Sequence, residues 1–314
     1  MSEADLDCLI VGGGPAGLTA AIYLARFHLK VQVVDEGRSR ASWIPCTRNL
    51  PGFPEGIGGD ELLARMRTQA EKYGVAFTRG RVTRLDRAEG GYAAEWGEGT
   101  ATARTVLLAT GVKNRRPDMD EDLHDEALAR GLIRYCPICD GYEVTDKRVG
   151  VIGSGSHGVA EALFLRSYTA DVILVAPHHA HDLSAEDQEQ LDAHGIKAVD
   201  GPARGVGLHP DCIVVETAEG HHVFDSVYPA LGSDVHSELA GQLGIALSGE
   251  TGCILVDARQ RTSLPGVYAA GDVVIGLDQI SHAMGEGGVA ATAIRNDLAA
   301  QQPLDRGPPP ARQG

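Results

Sequence analysis

Cys136 and Cys139 stand two residues apart in the run Cys136-Pro137-Ile138-Cys139-Asp140-Gly141. Two thiols at that spacing can close a disulfide ring. To exchange disulfides, one thiol must attack as the thiolate, and an acid must protonate the sulfur that departs. Asp140, the next residue, is placed to be that acid or base, provided burial raises its pKa. A zinc site would need about four ligands. No second close Cys or His pair supplies them at matching spacing, and His178, His179 and His181 read as an exposed loop, so no metal is expected. Cys8, Cys46, Cys212 and Cys253 are isolated in sequence and read as packing residues. Six cysteines in 314 residues make no disulfide scaffold, so the close pair reads as catalytic.

Gly12, Gly14 and Gly17 form Gly-x-Gly-x-x-Gly between an apolar run and a helical pattern. The first glycine permits a tight turn, the second lets the backbone approach a pyrophosphate, and the third lets helix pack on strand. The helix start then offers free N–H groups to the phosphates. Asp35 closes the next predicted strand, where a carboxylate accepts hydrogen bonds from an adenosine ribose. Gly153, Gly155 and Gly158 repeat the motif. The spacing that leads from Gly17 to Asp35 leads from Gly158 to Ala176. Ala176 is neither acidic, as NAD readers prefer, nor followed by arginine, as NADP readers prefer. Pro177, His178, His179, Ala180, His181 and Asp182 come next, and they would grip a 2′-phosphate only if the histidines were protonated. For this second motif a nicotinamide site and a dinucleotide fold without a ligand both stay open.

The elements that must position these residues follow from periodicity. Strands are predicted over 7–12, 31–34, 75–85, 92–96, 104–109, 149–152, 172–175 and 266–270. Helices are predicted over 18–27, 60–73 with Asp60 as N-cap, 159–168 and 285–298. Two β-α-β units result, each opened by a glycine fingerprint. The fold class is therefore α/β, with two Rossmann-like dinucleotide-binding domains. Gly numbers 40, apolar residues make up 43% and aromatics only 5%, which suits tight turns and two cores rather than a stacking platform for nucleic acid. The net charge of −15 disfavours nucleic acid and anionic membranes as partners. No apolar run approaches the length of a membrane span. The acidic stretch 1–7 does not read as a signal peptide, so the cytoplasm is expected. The tail, 301–314, is rich in proline and poor in apolar residues, and is expected to be disordered.

The order of motifs is the first fingerprint, Leu108-Ala109-Thr110-Gly111, Cys-x-x-Cys-Asp-Gly, the second fingerprint, then Gly266-Val267-Tyr268-Ala269-Ala270-Gly271-Asp272. In that order the chain resembles the low-molecular-weight thioredoxin reductases, from about residue 6 to 299. The resemblance implies a discontinuous FAD domain, 1–116 with 241–300, into which the Cys-bearing, nicotinamide-type domain, 117–240, is inserted. It implies FAD contacts at Gly12, Gly14, Gly17, Asp35, Asn49, Asp272 and Gln279. It also implies that Cys139 faces the flavin while Cys136 meets the substrate, and a homodimer is expected. The implied partner is a thioredoxin-like protein or a small disulfide or dithiol. The departures matter. The family's NADPH-reading run His-Arg-Arg-x-x-x-Arg falls on Ala176, Pro177, His178 and Asp182, and its Arg-Gln-Ala reads Asp278-Gln279-Ile280. NAD(P)H use is therefore left open. The chain also resembles atypical members that lack those arginines. Some of these take electrons from ferredoxin, and others oxidise dithiol metabolites with oxygen. The latter carry His after the second Cys, where this chain has Asp140. A flavin-binding redox sensor is the reading from another class; the intact dithiol relay favours an enzyme.

Overall fold

The computed structural model describes residues 4–305 and divides into two compact units. The first holds the residues up to Ser39, Leu63–Gly111 and those from Val235 on; the second holds Arg40–Leu62 and Val112–Asp234. In chain order the first elements are β1 (Leu6–Val11), α1 (Pro15–Arg26), β2 (Val31–Asp35), α2 (Gly59–Glu71), β3 (Ala76–Arg79), β4 (Arg84–Ala88), β5 (Gly91–Trp96) and β6 (Gly99–Leu108). The middle of the chain supplies β7 (Val112–Asn114), α3 (Glu121–Ala129), α4 (Pro137–Asp140), β8 (Val149–Gly153), α5 (Gly155–Leu165), β9 (Val172–Val175), α6 (Ala185–Ala193) and β10 (Lys197–Val199). The remaining elements are β11 (Arg204–Leu208), β12 (Ile213–Thr217), β13 (Gly220–Phe224), β14 (Ser226–Ala230), β15 (Ser233–Val235), α7 (Glu238–Gln242), β16 (Val267–Ala269) and α8 (Ile280–Gln301).

In the first unit a seven-stranded sheet runs β3-β2-β1-β6-β5-β4, with β16 also on β6. β1 is parallel to β2 and β6, and β16 is parallel to β6. The register pairs Val11 with Val34 and Leu108, and Leu108 with Ala269. The parallel strands therefore end level, and Gly12, Asp35, Ala109 and Ala270 leave the sheet along one edge. That is where an open α/β sheet presents its ligand crevice. α1 and α8 cover one face through Ala20, Leu24, Ala290 and Ile294, all buried.

In the second unit β10-β9-β8-β14 form a parallel sheet, and β11-β12-β13 an antiparallel one. β8-α5-β9-α6-β10 is the second Rossmann-like unit, and its strands β8 and β9 are buried throughout, as a parallel sheet requires. β7 and β15 form a two-stranded pair. Among the described residues, no helix is long and apolar enough to cross a membrane.

Three element predictions need correction. The single strand predicted over 75–85 is two, because β3 pairs with β2 at one edge of the sheet while β4 pairs with β5 at the other. Asp60 lies inside the first turn of α2 rather than capping it. The closing helix begins at Ile280, not 285, because Gly285, Gly287 and Gly288 blunt its apolar periodicity. Gly287 has a packing reason: a Cβ there would lie 2.3 Å from the Ala16 carbonyl oxygen on α1. Of the tail predicted from 301, residues 306–314 lie outside the described residues. Before them, Gln301 ends α8 and Leu304 packs half-buried on the core.

Candidate active site

The run into the cysteine pair lies beside β14. Ile133 bridges Val227, the Arg134 N–H donates to the Val227 carbonyl at 2.9 Å, and the Val227 N–H donates to the Leu132 carbonyl at 2.8 Å. This pairing fixes the approach, and α4 then turns the chain with Pro137 at its start, where the missing N–H costs nothing. Cys136 and Cys139 are joined as a disulfide, with Cα atoms 5.2 Å apart. The Cys139 N–H reaches Cys136 twice, donating to Sγ at 3.2 Å and to the carbonyl oxygen at 2.9 Å. A donor aimed at Sγ favours the charged form of that sulfur, so the reduced pair has a ready stabiliser for a Cys136 thiolate.

Asp140 closes the same turn. Its Oδ2 accepts from Arg134 Nη1 at 2.9 Å, and its Oδ1 accepts from the Tyr228 hydroxyl at 2.9 Å. Burial pushes this carboxyl above the ordinary carboxylate range, against the downward pull of Arg134 and Tyr228. Glu161 on α5 is pushed up to about 7, first by burial and then by the charge of Asp140. The condition attached to Asp140 in the sequence, that burial raise its pKa, is met. The partners that hold it are not legible there, since Tyr228 lies 88 residues away.

A second group next to the pair escaped the sequence reading altogether. His124 on α3 is 0% exposed, and Tyr135, the residue before Cys136, places its hydroxyl 2.8 Å from His124 Nε2. Asp125 meets Nδ1 at 3.1 Å. Trp43 packs on both rings, with centroids 5.3 Å from His124 and 5.6 Å from Tyr135, and the Arg116 guanidinium lies 4.6 Å from the Trp43 ring. Six residues on, Asn49 Nδ2 donates to the Ile138 carbonyl at 3.3 Å, and Arg48 pairs with Glu143 at 3.7 Å. The segment after Trp43 is therefore tied along the cysteine turn at several points. A His between an aromatic residue and a Tyr gives no sequence pattern, because its partners come from separate elements.

In the first unit, Gly12 adopts φ +107°, and a Cβ there would lie 2.2 Å from the Ala109 carbonyl oxygen. A Cβ on Gly17 would lie 2.1 Å from the Gly12 carbonyl oxygen. Gly14 is different: a Cβ there would meet only Ser39 Oγ, at 3.4 Å, an ordinary contact. It caps α1 with no side-chain hydrogen bond, leaving the first-turn N–H groups to an anion. Asp35 Oδ1 accepts from the Gly13 N–H at 3.0 Å and so stands at the fingerprint itself. Gly271, at φ +80°, turns the chain after β16 into Asp272, and its N–H donates to buried Glu286 Oε2 at 2.7 Å. Gln279 caps α8 and is buried. Gly12, Gly14, Gly17, Asp35, Asp272 and Gln279 thus share one unit, and their donors and carboxylates suit a dinucleotide's phosphates and hydroxyls. Asn49 falls in the other unit, with the cysteines.

The second fingerprint copies the scaffold. A Cβ on Gly158 would lie 2.9 Å from the Gly153 carbonyl carbon, and Gly155 adopts φ +59°. Its surroundings differ. Ala176 is buried and offers no carboxylate. His181 folds back, with Nε2 3.3 Å from the Leu174 carbonyl and its N–H donating to Asp200 at 2.8 Å. The cleft between α5 and α6 is lined by Ser156, Ser184, Glu186, Asp187 and Gln190, with carboxylates as its only charges.

A sulfur pair able to cycle between dithiol and disulfide, carried by one of two Rossmann-like folds in a single chain, is the make-up of a disulfide oxidoreductase. The chain belongs to the pyridine nucleotide-disulphide oxidoreductase family, whose model matches residues 6–287, and it is a flavin disulfide oxidoreductase of the thioredoxin reductase type. It is 32% identical to a thioredoxin reductase of Treponema pallidum over 306 residues, covering 93% of this chain and 96% of the relative. The crystal structure of thioredoxin reductase from Streptococcus pyogenes superimposes with a TM-score of 0.86 at 28% identity, covering 95% of this chain and 100% of that one. The atypical thioredoxin reductase TRi from Desulfovibrio vulgaris Hildenborough matches at 31% identity with a TM-score of 0.54, covering 95% and 99% of the two chains.

Proposed function

We propose that this protein is an FAD-dependent thiol-disulfide oxidoreductase that passes an electron pair between FAD and a substrate disulfide through Cys136 and Cys139. The observation that carries the reading is the Cys136–Cys139 bond set beside Asp140, a carboxyl that burial holds above its ordinary pKa. The first unit is the FAD domain, with FAD held by Gly12, Gly14, Gly17, Asp35, Asp272 and Gln279. The second is the nicotinamide-type domain that carries the cysteines. FAD, when bound, takes up or supplies the electron pair.

In the reducing direction, a Cys136 thiolate attacks one sulfur of the substrate disulfide, forming a mixed disulfide and releasing a substrate thiolate. The Cys139 thiolate then attacks Cys136 Sγ, which reforms the internal disulfide and releases the second substrate thiolate. Asp140 gives its proton to a departing sulfur and regains one from water. The partner is a thioredoxin-like protein or a small disulfide. Ile138 and Tyr142 flank Cys139 and are exposed, Tyr142 to 80%, so an apolar partner surface has something to rest on. The protein works in the cytoplasm as a homodimer. A second reading of the electron source is favoured by one observation, the carboxylate-lined cleft at the second fingerprint. In that reading NADPH is replaced by ferredoxin as donor, or the flow reverses and oxygen accepts the electrons.

The test uses Cys136→Ser and Cys139→Ser in the flavin-loaded protein, with a reduced low-potential viologen dye as electron donor and an aromatic disulfide as acceptor. Both variants are expected to lose turnover by more than about a hundredfold, because the relay needs one thiol to attack and one to resolve. Cys139→Ser alone should accumulate a mixed disulfide that peptide mass mapping places on Cys136. Full turnover in either variant sinks the reading, and trapping on Cys139 in Cys136→Ser reverses the two roles.

A further inference from the structure

Four ionisable groups face Asp140, each from a different piece of chain. Arg134 comes from the run that pairs with β14, Glu143 from the turn after α4, Glu161 from α5, and Tyr228 from β14 itself. Arg134 and Tyr228 each take one carboxyl oxygen, both at 2.9 Å. The Tyr228 hydroxyl also lies 3.3 Å from the Asp140 carbonyl oxygen. Its ring is 0% exposed and packs among Val149, Val151, Val159 and Leu174. Phenylalanine would fill that apolar volume equally well. A buried phenol must find a partner, and here the partner is the ionisable group one residue from Cys139.

Resting on the thiol-disulfide reading above, we propose that Tyr228 is a positioning residue for the reaction. With Arg134, it holds the Asp140 carboxyl in the orientation and charge state that proton transfer to a departing sulfur needs. The phenol is suited to this. Burial and the neighbouring Asp140 charge push its own pKa far above the ordinary tyrosine value, so it stays a donor at every working pH. A carboxyl fixed at both oxygens cannot rotate between rotamers, and proton transfer is sensitive to such geometry. The opposing influences have known signs. Burial and Glu143 raise the Asp140 pKa, and the Arg134 charge and the Tyr228 hydrogen bond lower it. Removing the hydroxyl leaves burial less opposed, so the carboxyl should hold its proton to higher pH.

The experiment compares the flavin-loaded wild type, Tyr228→Phe and Asp140→Asn across pH, with a reduced low-potential viologen dye as electron donor and the same aromatic disulfide as acceptor, recording kcat and KM separately. Asp140→Asn should erase one limb of the kcat profile, which identifies it. In Tyr228→Phe that limb should move to higher pH, and the plateau kcat should fall about three- to tenfold, with KM within about twofold. Arg134→Gln should move the limb the same way, and it serves as the reading if Tyr228→Phe does not fold. A folded Tyr228→Phe whose profile overlays the wild type, or is lowered uniformly without shifting, overturns the proposal. The Cys136→Ser control separates the two failures. If Cys136→Ser is dead and the Tyr228→Phe profile is unmoved, only this inference falls. If Cys136→Ser turns over, the underlying reading falls first.

Discussion

A methyl group added to Gly17 and one added to Gly14 meet different surroundings. At Gly17 it would sit 2.1 Å from a backbone oxygen that belongs to the same tight turn, which has no room to yield. At Gly14 it meets only Ser39 Oγ at 3.4 Å, and the backbone, at φ −77°, accepts any residue. The spacing of the fingerprint is legible in the sequence, and so are the roles of Gly12 and Gly17, because each is a steric demand tied to a position. Gly17→Ala should therefore lower the thermal midpoint of the flavin-free protein by the equivalent of about 1–3 kcal/mol or more. Gly14→Ala should leave that midpoint within about 0.5 kcal/mol of wild type, yet, if the proposed FAD site is right, weaken FAD by at least about tenfold, because its methyl would occupy the space proposed for the pyrophosphate. Fluorescence titration of stripped protein with FAD, beside a melting curve, reads both. Equal FAD affinity in Gly14→Ala and wild type would remove the pyrophosphate from this turn. Asp140 was legible in the same way, by adjacency to Cys139. Tyr228 and Arg134 were not, because nothing local in a sequence says which buried tyrosine faces which carboxyl.

Elements divide along a similar line. β1, α1 and β2 could be placed from periodicity because a parallel strand buried on both faces reads as an unbroken apolar run between glycines. β11, β12 and β13 did not announce themselves: their exposed faces carry residues such as His221 and Glu216, and their pairing is antiparallel and local. No element was predicted between 35 and 59, yet that stretch is tied down at Trp43 and again at Asn49. The Trp43 anchor packs on His124, whose pKa burial pushes below its ordinary 6.5. The sign follows. The unfolded chain takes up a proton near 6.5, while the folded chain resists it, so the stability due to a neutral His124 is full above that pH and is lost as the pH falls toward the folded value. His124→Gln keeps a hydrogen-bonding group for Tyr135 but cannot titrate. It should cost about 1–2 kcal/mol at pH 7, and the gap to wild type should narrow as the pH falls below about 6.5. Taking the difference between the two proteins cancels the carboxyls, Glu161 and Glu286 among them, that shift with pH in both. A gap constant across that window would mean His124 is not held neutral.

At the scale of the whole molecule, two folds of one design carry unequal ligand signals. The first pairs its fingerprint with Asp35; the second pairs the same fingerprint with Ala176 and a cleft whose only charges are Glu186 and Asp187. A net charge of −15 adds a general repulsion for a polyanion such as NADPH. Each lost arginine contact to a 2′-phosphate removes about 1.5–3 kcal/mol, so two such losses weaken binding by roughly a hundredfold or more. Anaerobic titration should therefore show NADPH reducing the flavin only at concentrations far above micromolar, with little preference over NADH, while dithionite reduces it fully. Salt separates repulsion, whether from the net charge or from the cleft's carboxylates, from missing contacts. If the carboxylates of the cleft repel the nucleotide, raising ionic strength shortens the screening length below about 10 Å and should improve NADPH use. If only the missing contacts matter, salt should change nothing. Glu186→Gln with Asp187→Asn should reproduce the effect of salt in the first case and be silent in the second. A micromolar Michaelis constant for NADPH in the wild type, well below that for NADH, would show instead that a 2′-phosphate is gripped by groups outside this cleft, and the second fold would then have to be read as a working nicotinamide site.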